Sequence, residues 1–210
     1  MKLSHTALVR EVEAAGIGDP RVLDAFRRTR RDLFVSADRA DLAYHDTPIP
    51  IGHDQVTTQP TLVAVMIAAL RLRGAERVLE IGTGLGFQTA LLARLAHWVY
   101  SVEHHADLAR RARDNLATAG IDNATVVVRD GTTGLPDHAP YQGIVVSAAA
   151  PRVPRPLADQ LDEGGRLVQP IGVGGAERVM AFHKDGGDLV EQEELITARF
   201  VPLIGEHGLP

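Results

Sequence analysis

The sequence contains no cysteine, and this absence narrows its possible chemistry. None of its 210 residues carries a thiol, which excludes disulfides, thiolate metal ligands and a cysteine nucleophile. The absence also fits a reducing compartment. We expect no metal site, because the adjacent His104 and His105 lack a second pair of ligands to complete one.

Positive charge and long apolar runs are also scarce. The net charge of −5 gives no reason to expect a nucleic-acid partner, and the basic cluster RRTRR at 27–31 is interpreted as the solvated end of a helix. The apolar run at 62–70 is far too short to span a bilayer, and MKLSHTALVREVEAAG is too charged for a signal peptide. We expect a cytoplasmic protein without a nucleic-acid or membrane partner, and a monomer rather than an oligomer.

The residues that are present indicate one core preceded by helices. A hydrophobic content of 45% is enough to form a single core. Apolar residues at helical spacing predict a helix over 3–15, and Asp19 followed by Pro20 predicts the start of a second helix. The stretch 35–61 has little periodicity, and so long an irregular segment in a compact domain is often functional.

From residue 62 onward, helical and strand patterns alternate, which predicts an α/β fold with a mostly parallel sheet. The last strands follow one another without helices and predict an antiparallel C-terminal edge. The predicted helices cover 62–72, 87–96, 106–120 and 153–161, and the predicted strands cover 77–81, 98–103, 124–128, 143–149, 165–172, 177–184 and 188–203. We expect a single domain over 1–210, comprising N-terminal helices and a covering loop (1–61), a core (62–172) and C-terminal strands (173–210).

A glycine-rich turn follows the first parallel strand, where sheets of this kind bind ligands. In EIGTGLGFQTA, Gly82, Gly84 and Gly86 alternate, and the next helix begins at Phe87. Glycines let the backbone approach a ligand closely. The dinucleotide pattern G-x-G-x-x-G would need glycine at 87, and a Walker loop would need a lysine, so neither fits. A structural turn without a ligand is the remaining alternative.

Acidic residues follow the next two strands. Glu103 ends WVYSVE, where a carboxylate can accept hydrogen bonds from both hydroxyls of a ribose; the alternative is a solvated surface charge. Asp130, in RDG after the third strand, can accept from an exocyclic amine such as that of adenine; the alternative is an ordinary Asp-Gly turn. We expect His104 to lie beside the same adenosine.

Together, the acid at Glu80, the glycine turn, Glu103 and the Asp130-Gly131 pair resemble the class I S-adenosylmethionine-dependent methyltransferases over 77–147. The resemblance implies a Rossmann-like doubly wound sheet, S-adenosylmethionine as cofactor and S-adenosylhomocysteine as product. It implies these cofactor-binding residues: Gln55, Thr57, Thr58, Glu80, Gly82, Thr83, Gly84, Gly86, Gln88, Glu103, His104, Asp130 and Gly131.

Segments outside that core are similar to one family. AYHDTPIPIGHDQVTTQP (43–60), the long stretch 130–172 and ARFVPLIG (198–205) resemble the protein-L-isoaspartate (D-aspartate) O-methyltransferases. The resemblance implies methyl transfer to the α-carboxylate of isoaspartyl residues in damaged proteins, and hence protein or peptide partners that carry isoaspartyl residues. The ester then closes to a succinimide, which reopens partly to normal aspartate.

The loop DQVTTQPT at 54–61 holds the implied catalytic residue. Aligned on Gln59-Pro60, Thr58 takes the place of the serine usually assigned to the family's active site. The alternative, compatible with that role, is that Thr58 is the N-cap of the helix that follows. A carboxylate acceptor is already ionised at pH 7, so the enzyme needs neutral donors and in-line positioning rather than a base. The implied substrate-binding residues are His53, Asp54, Thr58, Val201 and Pro202, although RFVPL can also be read as sheet core.

The same loop departs from the family pattern. Asp54, Val56, Thr57 and Thr61 replace the residues usual there, and the proline expected before Arg31 is missing. These departures keep two alternatives open: a relative that methylates a carboxylate of a dedicated peptide or small molecule, and a cofactor-binding relative without catalysis. The intact E-x-G-x-G-x-G argues against the second.

Overall fold

The computed structural model describes residues 3–210, with a seven-stranded sheet at its centre. Its helices are α1 (His5–Ala14), α2 (Pro20–Arg28), α3 (Pro60–Ala69), α4 (Phe87–Ala93), α5 (Ala106–Thr118) and α6 (Arg155–Gln160). Its strands are β1 (Ile49–Gly52), β2 (Gln55–Thr57), β3 (Arg77–Ile81), β4 (Trp98–Glu103), β5 (Ala124–Val128), β6 (Tyr141–Val146), β7 (Leu161–Ile171), β8 (Glu177–Asp185) and β9 (Asp188–Ala198). None of the helices within this range is long and apolar enough to cross a membrane.

The central sheet is parallel except at one edge. Its order is β5-β4-β3-β6-β7-β8-β9, with β3 to β7 parallel and with β8 and β9 antiparallel. Chain order reverses between β3 and β6, and sheets of this kind bind ligands at such a switch point. The predicted fold class, an α/β doubly wound sheet with an antiparallel C-terminal edge, is confirmed.

Successive residues of the buried strands face two separate cores. Val78 of β3 packs into a core shared with Met66 of α3, whereas its neighbour Leu79 packs into a second core with Leu157 of α6. All four side chains are 0% exposed, and burying each stabilises the fold by about 1.5–3 kcal/mol. Helices therefore cover both faces of the sheet, which leaves the ends of its strands for a ligand site.

The irregular stretch 35–61 contains a hairpin that was not predicted. Strands β1 and β2 pair antiparallel across a turn at His53 and Asp54, whose φ angles are 53° and 55°. Ile51 of β1 packs with Leu85 and Leu108, at the starts of two core helices. Tertiary contact, rather than local periodicity, holds these short strands over the sheet.

The segment RFVPL does not continue the last strand as predicted. Strand β9 ends at Ala198, and the Glu177 carboxylate accepts the N–H of Phe200 at 3.0 Å. Beyond it the chain runs beside Ala149, whose N–H donates to Val201 O (2.8 Å) and whose O accepts from Leu203 N–H (2.7 Å). The prediction of strand to residue 203 is therefore wrong.

The interpretation of RRTRR as a solvated helix end is right for only part of the cluster. Arg27 and Arg28 occupy the last turn of α2 and are exposed. Arg31 is instead 0% exposed. Its guanidinium is surrounded by carbonyls of the segment 43–58, which a local reading of charge does not reveal.

The helix cap assigned to Thr58 as an alternative is also wrong. The N-cap of α3 is Gln59, and its side chain does not cap the helix. Asp46 does so from the preceding loop: its carboxylate accepts from Thr61 N–H (2.9 Å), Thr61 Oγ1 (2.7 Å) and Gln59 Nε2 (2.7 Å). The start of α3 therefore does not need the hydroxyl of Thr58.

Because Asp46 satisfies a free N–H of α3, we predict that Asp46→Ala lowers the free energy of unfolding by about 1–2 kcal/mol. Urea unfolding followed by circular dichroism measures this change. Asp41→Ala is the matched control, since Asp41 is an exposed carboxylate of the same segment. Equal unfolding midpoints for the two variants would contradict the capping role.

Candidate active site

A cavity of about 220 Å³ opens beyond the ends of β3, β4 and β6, between the glycine turn and the β1–β2 hairpin. Most residues predicted to bind cofactor or substrate line it: His53, Gln55, Thr57, Thr58, Gly82, Thr83, Gly84, Gln88, Glu103, His104, Gly131, Val201 and Pro202. Four predicted residues lie outside the lining: Asp54, Glu80, Gly86 and Asp130.

The glycines of the turn have different tasks. Gly84 has a φ of 56°, and a Cβ on it would lie 3.3 Å from Ile51 Cδ1, so the hairpin packs directly on the turn. Gly86, with a φ of 93°, stands at the N-cap of α4, and its added Cβ would lie 3.3 Å from Leu116 Cγ. Gly86 thus permits α4 to pack on α5 and does not line the cavity.

Glu103 joins the second strand end to the glycine turn. Its side chain is 5% exposed; Oε2 accepts the N–H of Gly84 at 2.8 Å, and Oε1 accepts the N–H of His105 at 3.0 Å. An ionised carboxylate offers about four acceptor positions. Glu103 can therefore hold the turn and still accept from a ligand in the cavity.

Glu80 lies beneath the cavity rather than in its lining. It is 0% exposed and accepts from Ser101 Oγ (2.6 Å), Thr89 Oγ1 (2.5 Å) and Gln88 Nε2 (3.0 Å). Ser101 Oγ also lies 2.5 Å from Thr83 Oγ1. Glu80 therefore orients Gln88 and Thr83, which do line the cavity.

Gln88 has an acceptor atom for which the described part of the chain supplies no donor. Its Nε2 donates to Glu80 and to Ser147 Oγ (2.9 Å), which fixes the orientation of the amide. Its Oε1 is buried, and no residue from 3 to 210 donates to it. Since buried acceptors normally have partners, this oxygen fits a ligand with a donor such as an ammonium group.

Burial raises the pKa of Glu80 from 4.5 to about 7, although hydrogen bonds from Ser101, Thr89 and Gln88 oppose the rise. Between these values the folded state binds more protons than the unfolded state, so this group makes stability fall as pH rises. From about pH 5.5 to about pH 8 we predict that the parent chain loses about 2 kcal/mol more unfolding free energy than Glu80→Gln. Urea unfolding of both chains measures the difference, and parallel pH profiles would contradict it.

The Asp130 carboxylate is engaged by the protein. Oδ1 accepts from Thr132 N–H (2.8 Å) and Thr132 Oγ1 (2.7 Å), and Oδ2 accepts from Glu206 N–H (2.8 Å). Asp130 thus caps a short turn and holds the C-terminal segment. Its neighbour Gly131 lines the cavity, whereas Asp130 lies outside the lining, and a contact of the Asp130 side chain with adenine stays a prediction.

The tip of the hairpin is fastened to the start of α5. His53 Nε2 lies 2.9 Å from Asp107 Oδ1, and its ring stacks on that of His105 at a centroid distance of 4.2 Å. His53 therefore lines the cavity from the side of the hairpin. Asp54, at the same tip, is exposed and lies outside the lining.

The threonines of 54–61 differ in what their hydroxyls contact. Thr57 Oγ1 accepts from Arg31 Nη2 at 2.8 Å, and Thr61 Oγ1 donates to Asp46. Thr58 lines the cavity, and its hydroxyl makes no hydrogen bond with any described residue. Thr58 is thus the threonine whose hydroxyl remains available to a ligand.

Two residues that matter here were missed or misread from the sequence. Ser147 follows β6, lines the cavity and accepts a hydrogen bond from Gln88. Its position at the end of a parallel strand could have identified it as a site residue. Arg31 lies behind Thr57 and Thr58, and no local pattern distinguishes it from its exposed neighbours.

Comparison with known proteins agrees with this architecture. The family model described as protein-L-isoaspartate(D-aspartate) O-methyltransferase (PCMT) matches residues 3–208. A protein-L-isoaspartate O-methyltransferase of Methanoculleus marisnigri is 52% identical over 198 residues, covering 94% of this chain and 90% of that protein. A second such protein, from Pelobacter propionicus, is 48% identical over 194 residues, covering 92% and 86%.

Solved structures give the same result. A protein-L-isoaspartate O-methyltransferase superposes with a TM-score of 0.85 at 27% identity, over 97% of this chain and 67% of that one. A structure from Plasmodium falciparum, described as a putative protein-L-isoaspartate O-methyltransferase in complex with S-adenosyl-L-homocysteine, has a TM-score of 0.83 at 22% identity, over 95% and 98%. That second likeness concerns the fold. The family match over nearly the whole chain shows that this protein belongs to the protein-L-isoaspartate(D-aspartate) O-methyltransferase family.

Proposed function

We propose that this protein transfers the methyl group of S-adenosylmethionine to the α-carboxylate of L-isoaspartyl residues in damaged proteins. Within the site, the proposal rests on the position and the free hydrogen-bonding capacity of the Thr58 hydroxyl. In a member of this family, Thr58 lines the same cavity as the glycine turn, and its hydroxyl makes no hydrogen bond with any residue from 3 to 210. The substrates are proteins or peptides with isoaspartyl residues. The methyl ester then closes to a succinimide as the backbone nitrogen of the next residue attacks the ester carbon and methanol leaves.

The residues of the cavity fit the cofactor. Glu103 can accept from ribose hydroxyls. Gln88 Oε1, which has no donor among residues 3–210, can accept from the ammonium group of the methionine part. Gly82 and Gly84 line the cavity, so the cofactor can lie against the backbone of the turn. When bound, S-adenosylmethionine supplies an electrophilic methyl group on a sulfonium.

The acceptor needs no general base. A carboxylate with a pKa near 4 is ionised at neutral pH and can attack a methyl group directly. Thr58 holds one carboxylate oxygen by donating a hydrogen bond, while the second oxygen remains free to react. Correct positioning of reactants can lower a barrier by roughly 7–11 kcal/mol. A neutral donor also leaves the acceptor more nucleophilic than a directly paired cation would.

A transfer assay tests this function. The protein is incubated with tritiated S-adenosylmethionine and an isoaspartyl peptide, its aspartyl twin, or no acceptor. We expect base-labile methyl ester on the isoaspartyl peptide alone. Cofactor binding without transfer to that peptide would instead favour a carboxyl methyltransferase for a dedicated substrate. Failure to bind the cofactor in a calorimetric titration would refute both.

A further inference from the structure

Arg31 is a buried cation whose hydrogen-bond partners in the described part of the chain are all uncharged. It lies in a short helical turn after α2 and is 0% exposed. Its two terminal nitrogens reach five acceptors on the segment 43–58: the carbonyls of Ala43 (3.5 Å), His45 (2.9 Å), Thr47 (3.0 Å) and Thr58 (3.2 Å), and Oγ1 of Thr57 (2.8 Å). One side chain therefore joins two parts of the loop that precedes α3.

No described carboxylate forms a salt bridge with Arg31. Burial lowers its pKa to about 10, and the nearby Asp46 opposes this shift, so the guanidinium stays charged at neutral pH. Its Nε is also buried without a partner among residues 3–210. Burying a cation without an ion pair is costly, and this arrangement therefore calls for a reason beyond simple stability.

Arg31 is not part of the cavity lining, but two of its hydrogen-bond partners are. Nη2 binds both Thr57 Oγ1 and Thr58 O, while the guanidinium carbon lies 5.7 Å from the centre of the Phe87 ring. Thr57, Thr58 and Phe87 all line the cavity. Because no residue from 3 to 210 forms a hydrogen bond with the Thr58 hydroxyl, its direction depends on the Thr58 backbone, which Arg31 holds.

We propose that Arg31 is a positioning residue for the methyl acceptor: it holds Thr57 and Thr58 so that the Thr58 hydroxyl faces the acceptor carboxylate. This inference rests on the proposed function. Lysine cannot substitute, because a single ammonium with three donors cannot span acceptors that the planar five-donor guanidinium reaches together.

The test is Arg31→Lys, which keeps the positive charge and removes the planar guanidinium with its two terminal nitrogens. We expect kcat on an isoaspartyl peptide to fall by about tenfold to hundredfold, because small misplacements of reacting groups cause losses of this size. The Kd of S-adenosylhomocysteine, measured by calorimetry, should stay within about twofold. Rates are expressed per cofactor-binding site, so that partial unfolding does not count as loss of catalysis.

A double-mutant cycle separates positioning from general stability. If Arg31 acts through the Thr58 hydroxyl, adding Arg31→Lys to Thr58→Val should lower kcat by less than about twofold further. Arg21→Lys is the matched control: Arg21 donates to the carbonyls of Leu72 and Leu95, away from the cavity. Its effect on kcat, if any, should multiply with that of Thr58→Val. If the fold losses in kcat caused by Arg31→Lys and Thr58→Val instead multiply in the double variant, the proposal is overturned.

Should Arg31→Lys fail to fold, Thr57→Val provides the same test by removing one acceptor of the guanidinium. We expect a several-fold loss of kcat that Thr57→Ser restores. An unmodified chain that does not methylate the isoaspartyl peptide refutes the proposed function. An active unmodified chain whose kcat is unchanged by Arg31→Lys or Thr57→Val refutes only the role of Arg31.

Discussion

Glu103→Ala should weaken the binding of S-adenosylmethionine by about 100-fold or more. A hydrogen bond to a charged group contributes about 1.5–3 kcal/mol, and two ribose hydroxyls therefore account for at least about 3 kcal/mol. The substitution also leaves the N–H groups of Gly84 and His105 without their acceptor, so the turn loses its support as well as its ligand contact. Calorimetric titration gives the change in Kd.

Glu76→Ala is the matched control for that loss of support. Glu76 also accepts two backbone N–H groups, from Arg73 (2.8 Å) and Gly74 (2.7 Å), but it precedes β3 at the opposite end of the strand. We expect Glu76→Ala to lower stability and to leave cofactor affinity within about twofold. An unchanged Kd for Glu103→Ala would remove the ribose assignment.

Thr58→Val should lower turnover of an isoaspartyl peptide by at least about tenfold, because it removes one hydrogen bond to a carboxylate at nearly constant volume. Thr58→Ser keeps the hydroxyl and should be tolerated. Because Thr58 is also an implied cofactor-binding residue, the Kd of the cofactor is measured for both variants, and the loss is read from kcat at saturating cofactor. Steady-state kinetics of methyl transfer measure these effects.

Thr61→Val is the control within the same loop. Its hydroxyl is bound to Asp46 and lies away from the cavity lining, so turnover should remain within about twofold of the parent. Equal rates for Thr58→Val and the parent chain would exclude Thr58 from the mechanism. Similar losses for Thr58→Val and Thr61→Val would show that the loop tolerates no change, whatever the hydroxyl does.

The core of the fold could be predicted because its signals are local. Strands β3, β4 and β5 run over the residues predicted for them, since each is a short apolar run bounded by turn residues. The β1–β2 hairpin could not be predicted in this way. Its strands are brief, and Ile51 holds it in place through contacts with residues far along the chain.

In the site, too, the sequence predicts which residues lie near the cavity but not what their side chains contact. The sequence places Asp130 at the edge of the cavity, but the N–H of Glu206, 76 positions later, engages its carboxylate. Glu80 likewise belongs to the site and yet lies beneath it. Arg31 was misread because its burial depends on carbonyls 12 to 27 positions away.

The structure also sharpens what the departures from the family pattern mean. Two of the residues that depart from the pattern form hydrogen bonds within the protein: Thr57 accepts one from Arg31, and Thr61 donates one to Asp46. Both substitutions therefore serve the shape of the loop. Val56 is 40% exposed and lines the cavity, so we expect this departure to be the one that meets a substrate.

The most direct test of the central claim is a crystal structure with S-adenosylhomocysteine and an isoaspartyl peptide. We expect the cofactor ribose on Glu103 and one oxygen of the isoaspartyl α-carboxylate within about 3.2 Å of Thr58 Oγ1. A complex in which the cofactor occupies the cavity but that carboxylate is bound elsewhere, without contact to Thr58, would contradict the account.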